Sequence, residues 1–499
     1  MVNSPSSLSG TVSYRPRDGM AIGATADSST IQVADTLAQA RAAAPTLAAL
    51  APRTRQRWLD AVADALLEHR DQLAQLADTE TALGLPRLSG EVERMAAQLR
   101  FYGAVAAEGS YLGVAIDTAP GLVRVNQPLG PVAVFGASNF PFAFGTLGND
   151  TASALAVGCP VVAKAHPAHA LTSQRLADIA IAALGAAGAP DGTFGIVHGM
   201  DAGASLVRAH ETAAVGFTGS QAGGLALWEI ANAREVVIPV FAEMGTVNPV
   251  VVTPAGAAAR AADVATGFVG SFTLGSGQFC TKPGLLLAPA GFGMAASIAD
   301  ALVAAAPAPV MLTEGIAHAA RRGVDAMVRA GAEVVAKVSG QPGSGWRADA
   351  VLLRAPITAV RSDSHLAEEC FGPVAVVVEY DSEHQLRSAL TRLKGSLAAS
   401  VFTDGADDPD ARWLIQALAG QVGRVAIDEW PTGVAWTWAQ QHGGPWPATS
   451  RPESTSVGAA ALDRWVRPVT YQGAADAWLP AAGRDTNPWS VPQRRDGAR

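Results

Sequence analysis

Lysine is almost missing from this chain: of its 36 Lys and Arg residues only four, Lys164, Lys282, Lys337 and Lys394, are lysines. Clustered cations are missing as well. With a formal net charge of -8 and no basic block, the sequence offers no surface suited to nucleic-acid phosphates or an anionic membrane. No apolar run is long and uncharged enough to span a bilayer. Met1-Val2-Asn3-Ser4-Pro5 lacks the basic stretch and apolar core of a secretory leader, the first cation being Arg15. Cysteine is scarce too: Cys159, Cys280 and Cys370 are odd in number and far apart. That pattern fits neither a disulfide framework nor a metal site and suits a reducing compartment. The absences together predict a cytoplasmic protein that binds no nucleic acid, no membrane and no metal.

What is present is apolar bulk. The chain has 499 residues, 49% of them hydrophobic and 16% charged, enough for two or three cores at roughly 150 residues per domain. Ala and Leu recur at three and four residues between Ile31 and Arg100, which predicts helices. Leu112 to Gln127 is β-branched with a Pro120-Gly121 break and reads as a hairpin. From Gly130 short apolar strands alternate with helices: strands at 131–135, 160–163, 194–197 and 214–217, and a longer apolar strand from Val236 to Ala242. That alternation predicts a parallel sheet with crossover helices, a fold that binds ligands beyond the carboxyl ends of its strands. A second α/β unit is expected after Glu243, with strands at 249–252, near Leu285 and at 374–378. Past Trp430 the chain turns rich in Gly, Pro, Trp and Thr.

Five features carry possible chemistry. Cys280 follows the small-residue turn Gly275-Ser276-Gly277-Gln278, where a thiol is approachable and backed by N–H donors, although a free cysteine is often only a small buried hydrophobe. Cys159 and Cys370 read as inert packing. Glu243 ends an apolar strand, where a bare carboxylate is costly and so is either functional or held in an ion pair. Asn139, in Ala137-Ser-Asn-Phe-Pro141, suits either a helix cap or an oxyanion donor. Lys164 ends a strand in a chain that otherwise uses arginine, so its compact ammonium suits a phosphate or ribose, or simply solvent. Gly219-Ser220-Gln-Ala-Gly223-Gly224 opens a helix, a place for phosphate or merely a turn.

Taken in order, Ser138-Asn139-Phe140-Pro141, Lys164, Phe217-Thr-Gly-Ser220 with Gly224, Glu243-Met-Gly245, Gly277-Gln-Phe-Cys280 and Glu369-Cys-Phe371-Gly-Pro373 resemble the aldehyde dehydrogenase superfamily over nearly the whole chain. Lys164-Ala-His-Pro167-Ala-His169, Ala242 to Pro249, Pro431-Thr-Gly-Val434 and His442-Gly-Gly-Pro445 are similar to one branch, the 2,5-dioxovalerate (α-ketoglutaric semialdehyde) dehydrogenases. Fatty aldehyde dehydrogenases of luminous bacteria look related.

The resemblance implies a Rossmann-type cofactor-binding domain at 1–243, carrying an oligomerisation hairpin at about 112–130. It implies an α/β catalytic domain at 244–430 and a C-terminal return with an oligomerisation segment at 431–499. Cys280 would attack the aldehyde, Asn139 would hold the oxyanion, and Glu243 would activate the water that hydrolyses the thioester. Lys164 would meet the adenosine ribose, Gly219, Ser220 and Gly224 the pyrophosphate, and Glu369 and Phe371 the nicotinamide ribose and ring. Ser138 stands where the family usually has Trp, and Phe279 precedes the nucleophile. Pro167 stands where NAD-preferring members often place Glu, so NADP is the expected cofactor, with NAD as the alternative. The expected activity is oxidation of 2,5-dioxopentanoate to 2-oxoglutarate by a homodimer or homotetramer. A medium- or long-chain aldehyde dehydrogenase and a non-catalytic nucleotide-binding scaffold are the competing readings.

Overall fold

A computed structural model describes residues 10–340 and 343–498; the opening Met1 to Pro5, read above for a leader, lies outside them. The helical opening consists of Thr30–Ala49, Pro52–Glu68, Arg70–Thr81 and Leu85–Glu108. Ser29 starts the first of these with a capping box, its hydroxyl accepting from Gln32 N while the Gln32 side chain accepts from Ser29 N. Their apolar faces, among them Leu66, Leu88 and Leu99, pack with the first sheet into one core.

That first sheet has five parallel strands in the order Phe194–Val197, Val161–Lys164, Val132–Phe135, Ala214–Gly219, Val240–Met244. The alternation read from the sequence is present, and one boundary is corrected. Val236 and Val237 are 70% and 58% exposed and precede the strand, which begins only at Val240. Pro239, which has no N–H to give a ladder, marks the break between that exposed segment and the strand.

A second sheet has seven strands in the order Glu333–Ser339, Asp349–Pro356, Val374–Tyr380, Leu285–Pro289, Pro249–Val252, Ser396–Phe402, Val422–Ile427. Only its first pair is antiparallel. It is covered by helix Pro254–Thr273, whose Phe268 and Phe272 are fully buried. Trp430 packs there against Phe402, ring centroids 4.4 Å apart.

The hairpin is formed by Val114–Asp117 and Leu122–Pro128, and lies in a four-stranded sheet with Val466–Gln472 and Gln493–Arg495. A second hairpin, Thr11–Arg15 with Met20–Thr25, had no sequence counterpart above. The returning chain also lies along the Glu243 strand: Met244 N donates to Ala448 O (2.8 Å) and Ala242 N to Ser450 Oγ (2.9 Å). This contact carries residues from beyond position 440 into the site. No helix among the described residues is long and apolar enough to cross a membrane.

Candidate active site

Cys280 lies between a left-handed turn and strand Leu285–Pro289 of the second sheet. Gly275, Ser276 and Gly277 all take positive φ (56°, 62° and 68°), and a side chain on Gly277 would collide with the Gly372 carbonyl. Glycine is therefore required at 277 by both conformation and space. Behind the thiol, the buried Asn248 donates from Nδ2 to Cys280 O (2.7 Å) and Lys282 O (3.1 Å), fixing the backbone of the nucleophile segment. Burial pushes the Cys280 thiol well above its usual range, and the neighbouring carboxylates Glu243 and Glu369 push it further. At rest it is a thiol, and its reaction needs a nearby proton acceptor.

Two acceptors are present. His442 Nε2 lies 3.7 Å from Cys280 Sγ and 3.0 Å from Glu243 Oε1, and the three side-chain donor atoms fall within 4.8 Å of one another. Glu243 and His442 are 3% and 1% exposed, so a carboxylate there must be compensated. Ser456 Oγ donates to Glu243 Oε2. The Glu243 to His442 separation is that of a hydrogen bond while the alignment is not. Burial alone would raise the Glu243 carboxyl; His442 and Ser456 outweigh it and hold the group below the usual value.

Asn139 lies in a loop and caps no helix. Its Nδ2 donates to Gln278 O (2.7 Å), which ties it to the residue two before Cys280, and its own carbonyl accepts from Arg87 (2.5 Å). The structure therefore brings Cys280, Glu243 and the Asn139 loop together. Cys159 and Cys370 are buried away from this cluster, and burial raises both thiols, that of Cys159 to about 11.

The cofactor candidates form two groups at the carboxyl ends of the first sheet. Ser220, itself exposed at the end of strand Ala214–Gly219, caps helix Gln221–Asn232 by accepting from Gly223 N. A side chain on Gly224 would run into Met244, and one on Gly219 into the Phe217 ring. Gly245 N donates to Gly219 O (3.2 Å), and the Glu369 carboxylate lies directly over Gly245, where a side chain would have to displace it. Burial raises Glu369 to about 7 against the pull of Lys282. Phe371 is half-buried in the segment that packs Gly372 on Gly277.

Lys164 stands two strands from Gly219. It is nearly buried beside Met200 (Nζ to Sδ 3.5 Å), and is lowered to about 8 by burial with Asp27 opposing. A helix start with an exposed cap, a carboxylate over a bare glycine and a partly desolvated ammonium fit the phosphates and riboses of a dinucleotide.

Sequence reasoning missed His442, Ser456 and Asn248 as site residues and overlooked Asp27 beside Lys164. His442 and Asn248 fall within motifs quoted above, but nothing local shows that they reach Cys280.

The aldehyde dehydrogenase family model matches residues 3–445. The chain belongs to that family. Among curated relatives it is 43% identical to the α-ketoglutaric semialdehyde dehydrogenase 2 of Azospirillum brasilense, covering 89% of this chain and 87% of that protein. It is 40% identical to the α-ketoglutaric semialdehyde dehydrogenase of Acinetobacter baylyi, covering 89% and 86%. Among solved structures it superposes on a mutant of aldehyde dehydrogenase C from Pseudomonas syringae, complexed with NAD+ and octanal, with a TM-score of 0.81, 20% identity and 96% coverage of each chain. It superposes on PnpE in complex with nicotinamide adenine dinucleotide with a TM-score of 0.79, 22% identity and coverage of 94% and 96%. At those identities the structural likeness speaks to the fold. This aldehyde dehydrogenase is an NAD(P)-dependent oxidoreductase by family.

Proposed function

We propose that the enzyme oxidises 2,5-dioxopentanoate (α-ketoglutaric semialdehyde) to 2-oxoglutarate, with NADP preferred. The observation that carries the substrate is the identity of 43% and 40%, over about nine-tenths of the chain, to two proteins of that named activity.

In the mechanism we infer, the Cys280 thiol gives its proton to the Glu243–His442 pair and its sulfur adds to the aldehyde carbon, forming a tetrahedral thiohemiacetal. The oxyanion accepts from the Asn139 amide and the Cys280 N–H. Lys164, Gly219, Ser220, Gly224, Glu369 and Phe371 would hold a nicotinamide dinucleotide, which would supply the hydride acceptor needed for the adduct to become a thioester. The proton taken from the thiol passes to solvent, Glu243 then takes a proton from water, the hydroxide adds to the thioester, and the thiolate leaves with that proton returned from the pair. Ser456 and His442 keep Glu243 ionised and oriented for that step.

The NADP preference is supported by Pro167, which puts no carboxylate three residues beyond Lys164. Asp27 weighs toward NAD, since its carboxylate acts on Lys164. For assembly we propose a homodimer or dimer of dimers built on the sheet that contains Leu122–Pro128 and Val466–Gln472, since an exposed strand edge favours pairing.

Steady-state kinetics with NADP and NAD against 2,5-dioxopentanoate, glutaraldehyde and decanal test the reading. The highest kcat/KM belongs to 2,5-dioxopentanoate with NADP. A higher value for decanal would make the protein a long-chain aldehyde dehydrogenase instead.

A further inference from the structure

A guanidinium buried without a carboxylate against it is unfavourable until an anion arrives to share the site. Burial lowers four arginines below their usual range: Arg87, Arg94, Arg234 and Arg424. Arg234 is occupied elsewhere, donating to the carbonyls of Val207, His210 and Thr212. The other three belong to the thiol region. Arg94 and Arg424 each respond to charge at Cys280, and Arg87 lies over the ring of Phe279, the residue before the nucleophile, at 5.0 Å.

These three cations are engaged to different extents. Arg87 has Glu91 at 3.9 Å, donates to Asn139 O and also lies over Phe140. Arg424 donates from Nη1 to Gly433 O (2.7 Å) and from Nη2 to Pro431 O (2.5 Å), so both ends of its fork hold the 431–433 loop. Arg94 donates from Nη2 to Val434 O (2.8 Å), and its Nε reaches the Gln98 amide oxygen (3.2 Å) in the orientation that amide needs. Arg94 Nη1 has no partner among the described residues, and no carboxylate oxygen there comes within 4.0 Å of Arg94.

The setting of Arg94 faces the chemistry. Its guanidinium lies over the Trp436 ring (4.9 Å) and near that of Phe144 (5.5 Å). Phe144 in turn meets the His442 ring edge-on at 6.0 Å, and His442 Nε2 is 3.7 Å from Cys280 Sγ. A five-carbon aldehyde acid bound covalently at the sulfur, with its carboxylate in contact with a guanidinium, reaches roughly 10 Å from sulfur to cation.

We propose that the unengaged Nη1 edge of Arg94 binds the distal carboxylate of an acidic aldehyde whose carbonyl sits at Cys280, with Arg424 holding the 431–433 loop as an opposite wall. This rests on the α-keto acid semialdehyde reading and names the residue that selects for it.

The test compares 2,5-dioxopentanoate with pentanal, a neutral aldehyde of the same chain length, on wild type, Arg94→Leu and Arg94→Lys. Wild type favours the acid. Arg94→Leu lowers kcat/KM for the acid by on the order of 10- to 100-fold more than for pentanal, the scale of a lost charge-assisted hydrogen bond, and mainly through KM. Arg94→Lys recovers part of that difference. Equal losses on both aldehydes overturn the role of Arg94. A wild type without preference for the acid overturns the substrate reading, and does so before any variant is made. If Arg94→Leu is inactive on both aldehydes, calorimetric binding of 2-oxoglutarate decides: tenfold weaker binding supports the proposal, and unchanged binding overturns it.

Discussion

The Glu243 carboxylate and the His442 imidazole lie 3.0 Å apart with almost no exposure to solvent, and the thiol of Cys280 is 3.7 Å from that same imidazole nitrogen. The residue we propose as the base that acts on water is thus held below the usual carboxylate range by a partner that also borders the proposed nucleophile.

Replacing His442 removes the strongest influence opposing burial at Glu243. In the wild type the depressed carboxyl is ionised throughout neutral pH, so activity falls only as pH drops through that low value. In His442→Gln the carboxyl rises, and the acid limb of the kcat profile moves to higher pH. The stability supplied by the pair is present above the unfolded carboxylate value and is lost as pH falls through the folded one. Leaving a buried charge uncompensated costs about 3–5 kcal/mol, which denaturant unfolding at neutral pH measures. A pH profile identical to wild type would separate His442 from the base.

Glu369 titrates near 7 because burial outweighs Lys282. A carboxylate accepts hydrogen bonds from ribose hydroxyls better than a carboxyl does. The Kd of NAD, read by fluorescence quenching, should therefore tighten as pH rises through about 7, and Glu369→Gln should flatten that dependence. A pH-independent Kd in wild type would remove Glu369 from the nicotinamide ribose.

The proposed cofactor choice rests on Pro167, three residues beyond Lys164, and on Asp27, whose carboxylate acts on Lys164. A carboxylate a few ångströms from a 2′-phosphate costs on the order of 1–4 kcal/mol at effective dielectrics of 80 to 20. Pro167→Glu should lower kcat/KM for NADP about tenfold or more with little change for NAD. Asp27, which accepts from Thr11 Oγ1 (2.6 Å), is exposed, so Asp27→Asn should raise NADP efficiency by a smaller factor. Equal effects on both dinucleotides would place these residues away from the adenosine ribose.

Much of this site is written locally and part of it is not. Glu243, Lys164 and Gly219 each lie at the end of a strand, so the alternation of apolar runs gave their positions, whereas Cys280 follows the turn after helix Pro254–Thr273 and was legible only from its small-residue setting. The strand before Glu243 was read four residues too early because Val236 and Val237 look buried to a hydrophobicity pattern, whereas both are exposed and the strand begins after Pro239. His442 and Ser456 approach the nucleophile and base from 162 and 213 residues away in sequence, carried by a return segment with no periodicity to read. The hairpin of Thr11–Arg15 and Met20–Thr25 is short and only partly buried, and its contribution, Asp27 beside Lys164, is visible only after folding. The arginines around the thiol are ordinary in sequence; that Arg94 has no carboxylate oxygen within 4.0 Å among the described residues while Arg87 has Glu91 is a property of the packed site.

The most direct measurement is a rapid-mix reaction of Glu243→Gln with 2,5-dioxopentanoate and NADP, followed by intact-mass and peptide analysis. Without its base the enzyme should release about one equivalent of reduced cofactor per active site in a burst. It should then stall with a thioester on the peptide containing Cys280. Full turnover without a burst, or an adduct on Cys159 or Cys370 instead, would contradict a mechanism in which Cys280 forms the acyl-enzyme and Glu243 resolves it.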